Sequence, residues 1–98
     1  MDIIKTKNEK VLDIALVGRL DTTTAPELEA SIKESIDGVE EFSLDFQKLD
    51  YISSAGLRVL LAAQKIMNKQ GKMVVKNVND DIQEVFEITG FSDILTIE

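Results

Sequence analysis

The sequence predicts an α/β fold, a mixed, mostly parallel sheet of four to five strands with helices packed against it. Short apolar runs at Val11 to Val17, Glu41 to Phe46 and Met73 to Val75 alternate with amphipathic segments of helical period. The amphipathic segments open on capping residues and close at glycines, so each helix has a readable start and stop. No linker or low-complexity run interrupts the alternation, and residues 1–98 read as a single domain.

The elements follow in order. Ile3-Ile4 and Val11 to Val17 read as strands joined by a polar turn around Asn8-Glu9. In the second strand Val11, Ala15 and Val17 share one face and Leu12, Ile14 and Leu16 the other. Both faces are apolar, which predicts a strand covered on two sides. Thr24-Ala25-Pro26-Glu27 fits a capping box, with Leu28, Ile32 and Ile36 on the buried face of the first helix and Asp37-Gly38 at its end. Phe42, Leu44 and Phe46 alternate in a third strand. From Ala55 to about Gln70 the helical pattern is apolar over a wide arc, with Arg58, Lys65 and Lys69 along a narrow polar stripe. Such a helix is expected to pack against both the sheet and its neighbours. Gly71 ends it and Met73-Val74-Val75 forms a short strand. Asp80 is the expected cap of the last helix, with Gln83 at the box position. Ile82, Val85, Phe86 and Thr89 are its expected buried face, and Gly90 its stop. Phe91 and Ile94 to Ile97 close the chain as a strand-like tail.

Composition narrows the chemistry. Cys and His are both absent, so neither thiolate nor imidazole is available to bind zinc, attack a carbonyl or shuttle protons. Eleven Lys and Arg against eighteen Asp and Glu give 11 − 18 = −7, a balance unfavourable to nucleic acid and anionic membranes. Met1-Asp2-Ile3-Ile4-Lys5 lacks the basic and long apolar regions of a signal peptide. The expectation is a small cytoplasmic domain that is not an enzyme and takes no metal or cofactor.

The most informative segment is Asp50-Tyr51-Ile52-Ser53-Ser54-Ala55-Gly56-Leu57-Arg58, where the third strand and its loop hand over to the wide apolar helix. Ser53 or Ser54 is placed to cap that helix, the commonest use of a serine there. A phosphate on such a hydroxyl would also be accommodated by free N–H groups and the positive end of the helix dipole. Gly56 in a first helical turn costs about 1 kcal/mol relative to Ala, which predicts a backbone left open for close approach. Gly18 to Thr24 is a second strand-to-helix loop without the spacing of a nucleotide cradle. Both loops are expected at the same end of the sheet. Glu40-Glu41 and Asp80-Asp81 read as solvated surface and cap residues. Arg58, Lys65 and Lys69 read as a wet helix face, though also as the chain's best basic feature for an acidic partner.

Gly18-Arg19-Leu20-Asp21, followed by Asp50 to Leu57, resembles the STAS domain of bacterial anti-sigma factor antagonists. Gly71-Lys72-Met73-Val74-Val75 and Ile88-Thr89-Gly90-Phe91 are similar to the same family in the same order. The resemblance implies a STAS fold and a partner switch. In that family the unphosphorylated antagonist binds an anti-sigma factor, which releases its sigma factor to RNA polymerase. The anti-sigma factor is also a serine kinase that phosphorylates the antagonist, and a serine phosphatase restores the binding form.

The family motif Asp-Ser-Ser/Thr-Gly-Leu places the modified serine two residues before the glycine, which is Ser54, with Ser53 the second choice. Asp21, Thr22, Thr23, Ser53, Ala55, Gly56 and Arg58 are the partner-binding positions implied. Three positions depart from the pattern. Ser53 replaces the motif Asp, Ala55 replaces a hydroxyl residue, and Arg58 stands where Gly is frequent; four residues from Ser54, it is expected as a ligand for the added phosphate or as a specificity contact. The alternative is a STAS scaffold subunit of a transport or stress-signalling complex, in which Ser54 is only a cap. A small nucleotide-binding or hydrolytic domain is a third reading, with no phosphate loop to support it.

Overall fold

The computed structural model describes residues 1–98. Strands β1 (Asp2–Asn8) and β2 (Val11–Leu20) are followed by α1 (Ala25–Ser35), β3 (Glu41–Ile52), α2 (Ser54–Met67), β4 (Lys72–Lys76) and α3 (Asp80–Thr89), with a short 3₁₀ turn at Phe91–Asp93. The sheet order is β1-β2-β3-β4; β1 runs antiparallel to β2, and β2, β3 and β4 are mutually parallel. Two right-handed crossovers that advance in one direction along a sheet place their helices on the same side. The core therefore lies on that side. Leu12, Ile14, Leu16, Phe42, Leu44, Phe46, Met73 and Val75 of the sheet are buried with Leu28, Ile32, Leu60, Met67, Ile82 and Phe86 of the helices. Phe46 and Phe86 pack tilted, ring centroids 6.4 Å apart.

The other sheet face is bare, which corrects the expectation that β2 is covered twice. Val11 is 36% exposed, and Ile4, which pairs with Ala15 from β1, is 57% exposed. Asp13 is exposed, while Ala15 and Val17 are half-buried. Four strands form the sheet, and the expected terminal strand is reduced to one parallel bridge of Ile97 with Val75.

Strand β3 runs six residues beyond Phe46, so Asp50, Tyr51 and Ile52 are strand and not loop. Two register shifts against β2 explain the discrepancy. Each leaves an extra residue on β3, so the buried positions after Phe46 fall at Leu49 and Ile52, three apart and not two.

Three caps and contacts also differ. Thr24 makes no cap bond to α1; its Oγ1 accepts from Asp21 N (2.8 Å) and donates to Arg19 O (2.8 Å). Asp21 does the capping one turn earlier, Oδ1 accepting from Thr23 N (3.0 Å) and Thr24 N (3.1 Å) while its carbonyl accepts from Ala25 N (2.8 Å). Asn79, not Asp80, caps α3: Oδ1 accepts from Ile82 N at 2.8 Å. Asp80 and Asp81 fall in the first turn, where the helix dipole favours them. Thr89 is exposed, its hydroxyl donating to Val85 O (2.7 Å) within the helix. Gly90 closes α3 with a left-handed backbone (φ 82°), as its type requires.

Candidate functional site

The C-terminal ends of β2 and β3 lie side by side, so the loops into α1 and α2 emerge together. Ser53 N donates to Leu20 O at 2.9 Å, which ties the second loop to the end of β2. Ser53 is the N-cap residue of α2, in extended conformation (φ −100°, ψ 176°), and its side chain makes no cap bond. Its Oγ is buried and has no hydrogen-bond partner. Ser54, the first residue of α2, is exposed. The helix therefore presents a free hydroxyl at a start whose first-turn amides no side chain satisfies. Arg58 is exposed one turn further along, on the same side of α2 as Ser54.

Gly56 explains how the start of α2 can lie so close to the sheet. A Cβ there would fall 2.7 Å from Leu20 Cγ and 2.9 Å from Ile52 Cγ1. The group that approaches the open backbone is thus the domain's own Leu20. Gly56 itself is buried and sets the spacing beneath the exposed residues.

Asp21 is the knot of the neighbouring loop. Its Oδ1 accepts from the Thr23 hydroxyl (2.8 Å) as well as from the two loop amides. The Thr23 hydroxyl, opposed next by desolvation and supported by the Thr24 and Thr23 amides and the Thr24 hydroxyl, holds the carboxyl below the usual aspartate range. Arg19 lies over the Tyr51 ring, 4.2 Å from guanidinium carbon to centroid, and its Nε is 3.9 Å from Asp21 Oδ2. The pairing of Arg19 with Tyr51 across β2 and β3 follows from the second register shift. Both residues belong to the quoted motifs, but no sequence signal joined them.

Of the expected partner-binding residues, Thr22, Ala55 and Arg58 meet around one shallow groove of about 180 Å³ between the starts of α1 and α2. Ala25, Pro26, Glu29 and Val59, not foreseen from the sequence, complete its lining. Asp21 and Thr23 form the loop beside it, and Ser53 and Gly56 lie beneath the start of α2. No three His, Cys, Asp or Glu side chains are placed together to hold a metal ion, and no helix is long and apolar enough to cross a membrane.

A one-sided mixed sheet whose paired strand-to-helix loops present a serine at a helix start defines a small α/β module with a built surface. The chain belongs to the STAS domain family, whose model matches residues 2–98. It is 38% identical to BtrV of Bordetella bronchiseptica, assigned by name to the anti-sigma factor antagonists, over 99% of this chain and 85% of that protein. It is 29% identical to the anti-sigma-B factor antagonist of Staphylococcus aureus, over 99% of this chain and 92% of the relative. Solved structures share the fold. The unphosphorylated antagonist SpoIIAA superposes with a TM-score of 0.78 at 19% identity, covering 99% of this chain and 87% of that one. An anti-sigma factor antagonist from Mycobacterium paratuberculosis gives 0.87 at 21% identity, covering 98% and 83%.

Proposed function

We propose that this chain is an anti-sigma factor antagonist whose binding is switched off by phosphorylation of Ser54. The observation that carries the reading is the exposed Ser54 hydroxyl at the uncapped start of α2, next to the groove between the starts of α1 and α2. The names of its relatives supply the class of partner, an anti-sigma factor. The unmodified domain binds that protein, which then releases its sigma factor. Working with ATP and a sigma factor places it in the cytoplasm.

The switch step is the one the family resemblance implies, with Ser54 as the acceptor. The anti-sigma factor, acting as a serine kinase, moves the γ-phosphoryl group of ATP to Ser54 Oγ. The hydroxyl proton leaves to a base of the kinase, since this chain has no His to take it, and ADP departs. A serine phosphatase hydrolyses the ester with water and returns the free hydroxyl with inorganic phosphate. Burial of the Ser53 hydroxyl disfavours that residue as the acceptor.

The added phosphate brings a charge of about −1.5 to −2 to the interface. The helix start favours an anion, so the domain stays folded while the partner surface loses its fit. A loss of about 2–4 kcal/mol of binding weakens the complex by about 30- to 1,000-fold. Ser54→Ala therefore binds the anti-sigma factor constitutively and Ser54→Glu binds it weakly, measured by calorimetry. Equal affinity of the two variants overturns the proposal.

A further inference from the structure

The apolar arc of α2 is only partly used by the core. Val59 and Ala63 are buried, but Ala62 is exposed and Ile66 is 37% exposed. The groove at the start of α1 and α2 runs on into a second depression, lined by Ala62, Ala63 and Ile66, and the two share Glu29 and Val59. Ala55, Val59, Ala62 and Ile66 advance along α2 at i, i+4, i+7 and i+11, one straight stripe. At 1.5 Å per residue it extends about 16 Å, some three helical turns.

The two rims of this channel carry different charge. On α1, Glu29 and Lys33 neutralise each other at 3.5 Å. On the α2 side Arg58, Lys65 and Lys69 are all exposed, and none takes part in an ion pair. The helix itself contains no Asp or Glu, although the chain has eighteen acids against eleven bases. An unpaired basic row beside an uncovered apolar stripe is complementary to a partner segment with one apolar and one acidic face. Small side chains at Ala55 and Ala62 allow a third helix to approach the stripe closely.

We propose that the α1/α2 channel takes an acidic amphipathic helix of the partner protein, laid along α2 from Ser54 towards Ile66. The inference rests on the reading above for the identity of the partner and adds the chemistry of the segment that docks. It also gives the switch a physical target: Ala55 and Arg58 line the end of the channel next to Ser54. A phosphate there faces the acidic helix at its point of entry.

The test is an NMR titration of the unmodified ¹⁵N-labelled protein with a synthetic helical peptide carrying Leu at i, i+3 and i+4 spacing and Glu on its other faces. A second peptide with Lys in place of Glu is the control. The acidic peptide is expected to move the amides of Val59, Ala62 and Ile66 with a Kd below about 1 mM. Binding should be at least about tenfold weaker in the exposed double variant Lys65→Glu/Lys69→Glu, whose fold is checked by circular dichroism. Equal binding of the two peptides, shifts confined to the bare sheet face, or no shifts at all overturn the proposal. No kinase or phosphate enters this titration, so its failure removes the docking helix and leaves the Ser54 switch standing. Equal affinity of the Ser54 variants would do the reverse.

Discussion

Gly56→Ala probes how the start of α2 is held against the sheet. Alanine in a helix is favoured over glycine by about 1 kcal/mol, so propensity alone predicts a more stable protein. The structure predicts the opposite. The new methyl would fall 2.7 Å from Leu20 Cγ, 2.9 Å from Leu20 Cδ2 and 2.9 Å from Ile52 Cγ1. Carbon atoms in contact prefer about 3.5–4.0 Å, so the neighbours must retreat by close to 1 Å. Leu20 is 0% exposed, and Cγ is its branch point, not a free end that can swing away. Overpacking of this kind costs about 1–3 kcal/mol, and three short contacts in a buried place point to its upper half. The net expectation is a loss of about 1–2 kcal/mol, read from urea unfolding by linear extrapolation. Leu20→Ala on its own should lose about 2–5 kcal/mol, but less in the Gly56→Ala background, with a coupling of about 1–2 kcal/mol. A stabilised Gly56→Ala protein, or strictly additive losses in the double variant, would refute the close-approach account.

Two further outcomes are expected. Asn79→Ala should lose about 0.5–2 kcal/mol by urea unfolding, because it removes the α3 cap and also the bond from Asn79 Nδ2 to Leu49 O (3.0 Å). Asp80→Ala should lose less, and the reverse order would contradict the cap assignment. At Asp45 the Asn77 side-chain amide (2.9 Å), followed by Gln47 N, holds the carboxyl below its ordinary value of 3.8. A depressed carboxylate contributes stability above that ordinary value and loses it as pH falls through the depressed one. Asn77→Gly removes the bond without strain, because Asn77 has a positive φ of 57°. It should move the Asp45 titration upward in a carbon-detected pH series and reduce the stability that Asp45 contributes at neutral pH and loses in acid; an unmoved midpoint would remove Asn77 as its cause.

The helices and the parallel sheet were legible because their signals are local and periodic. Leu28, Ile32 and Ile36 of α1 and Phe42, Leu44 and Phe46 of β3 are buried as their spacing implies. What was not legible depends on partners distant in sequence. The two extra residues of β3 are visible only against β2, so period-two reading stops at Phe46. A capping threonine and a capping aspartate three residues earlier look alike until Thr24 is seen to bond Arg19 O. The apolar outer face of β2 suggested a second cover, yet topology puts both crossover helices on the other side. At the site, Ser53-Ser54 and Gly56 stood out as a helix start, whereas the Arg19–Tyr51 stack and the channel floor at Val59 needed the assembled strands and helices.

The central claim is that Ser54 carries the switch. The purified protein is incubated with ATP and a lysate of its native cell, and any phosphate is mapped by mass spectrometry. The account predicts one phosphate, on Ser54, with the domain still folded. A phosphate on Ser53 or elsewhere, or none while an anti-sigma factor still co-purifies, would contradict it.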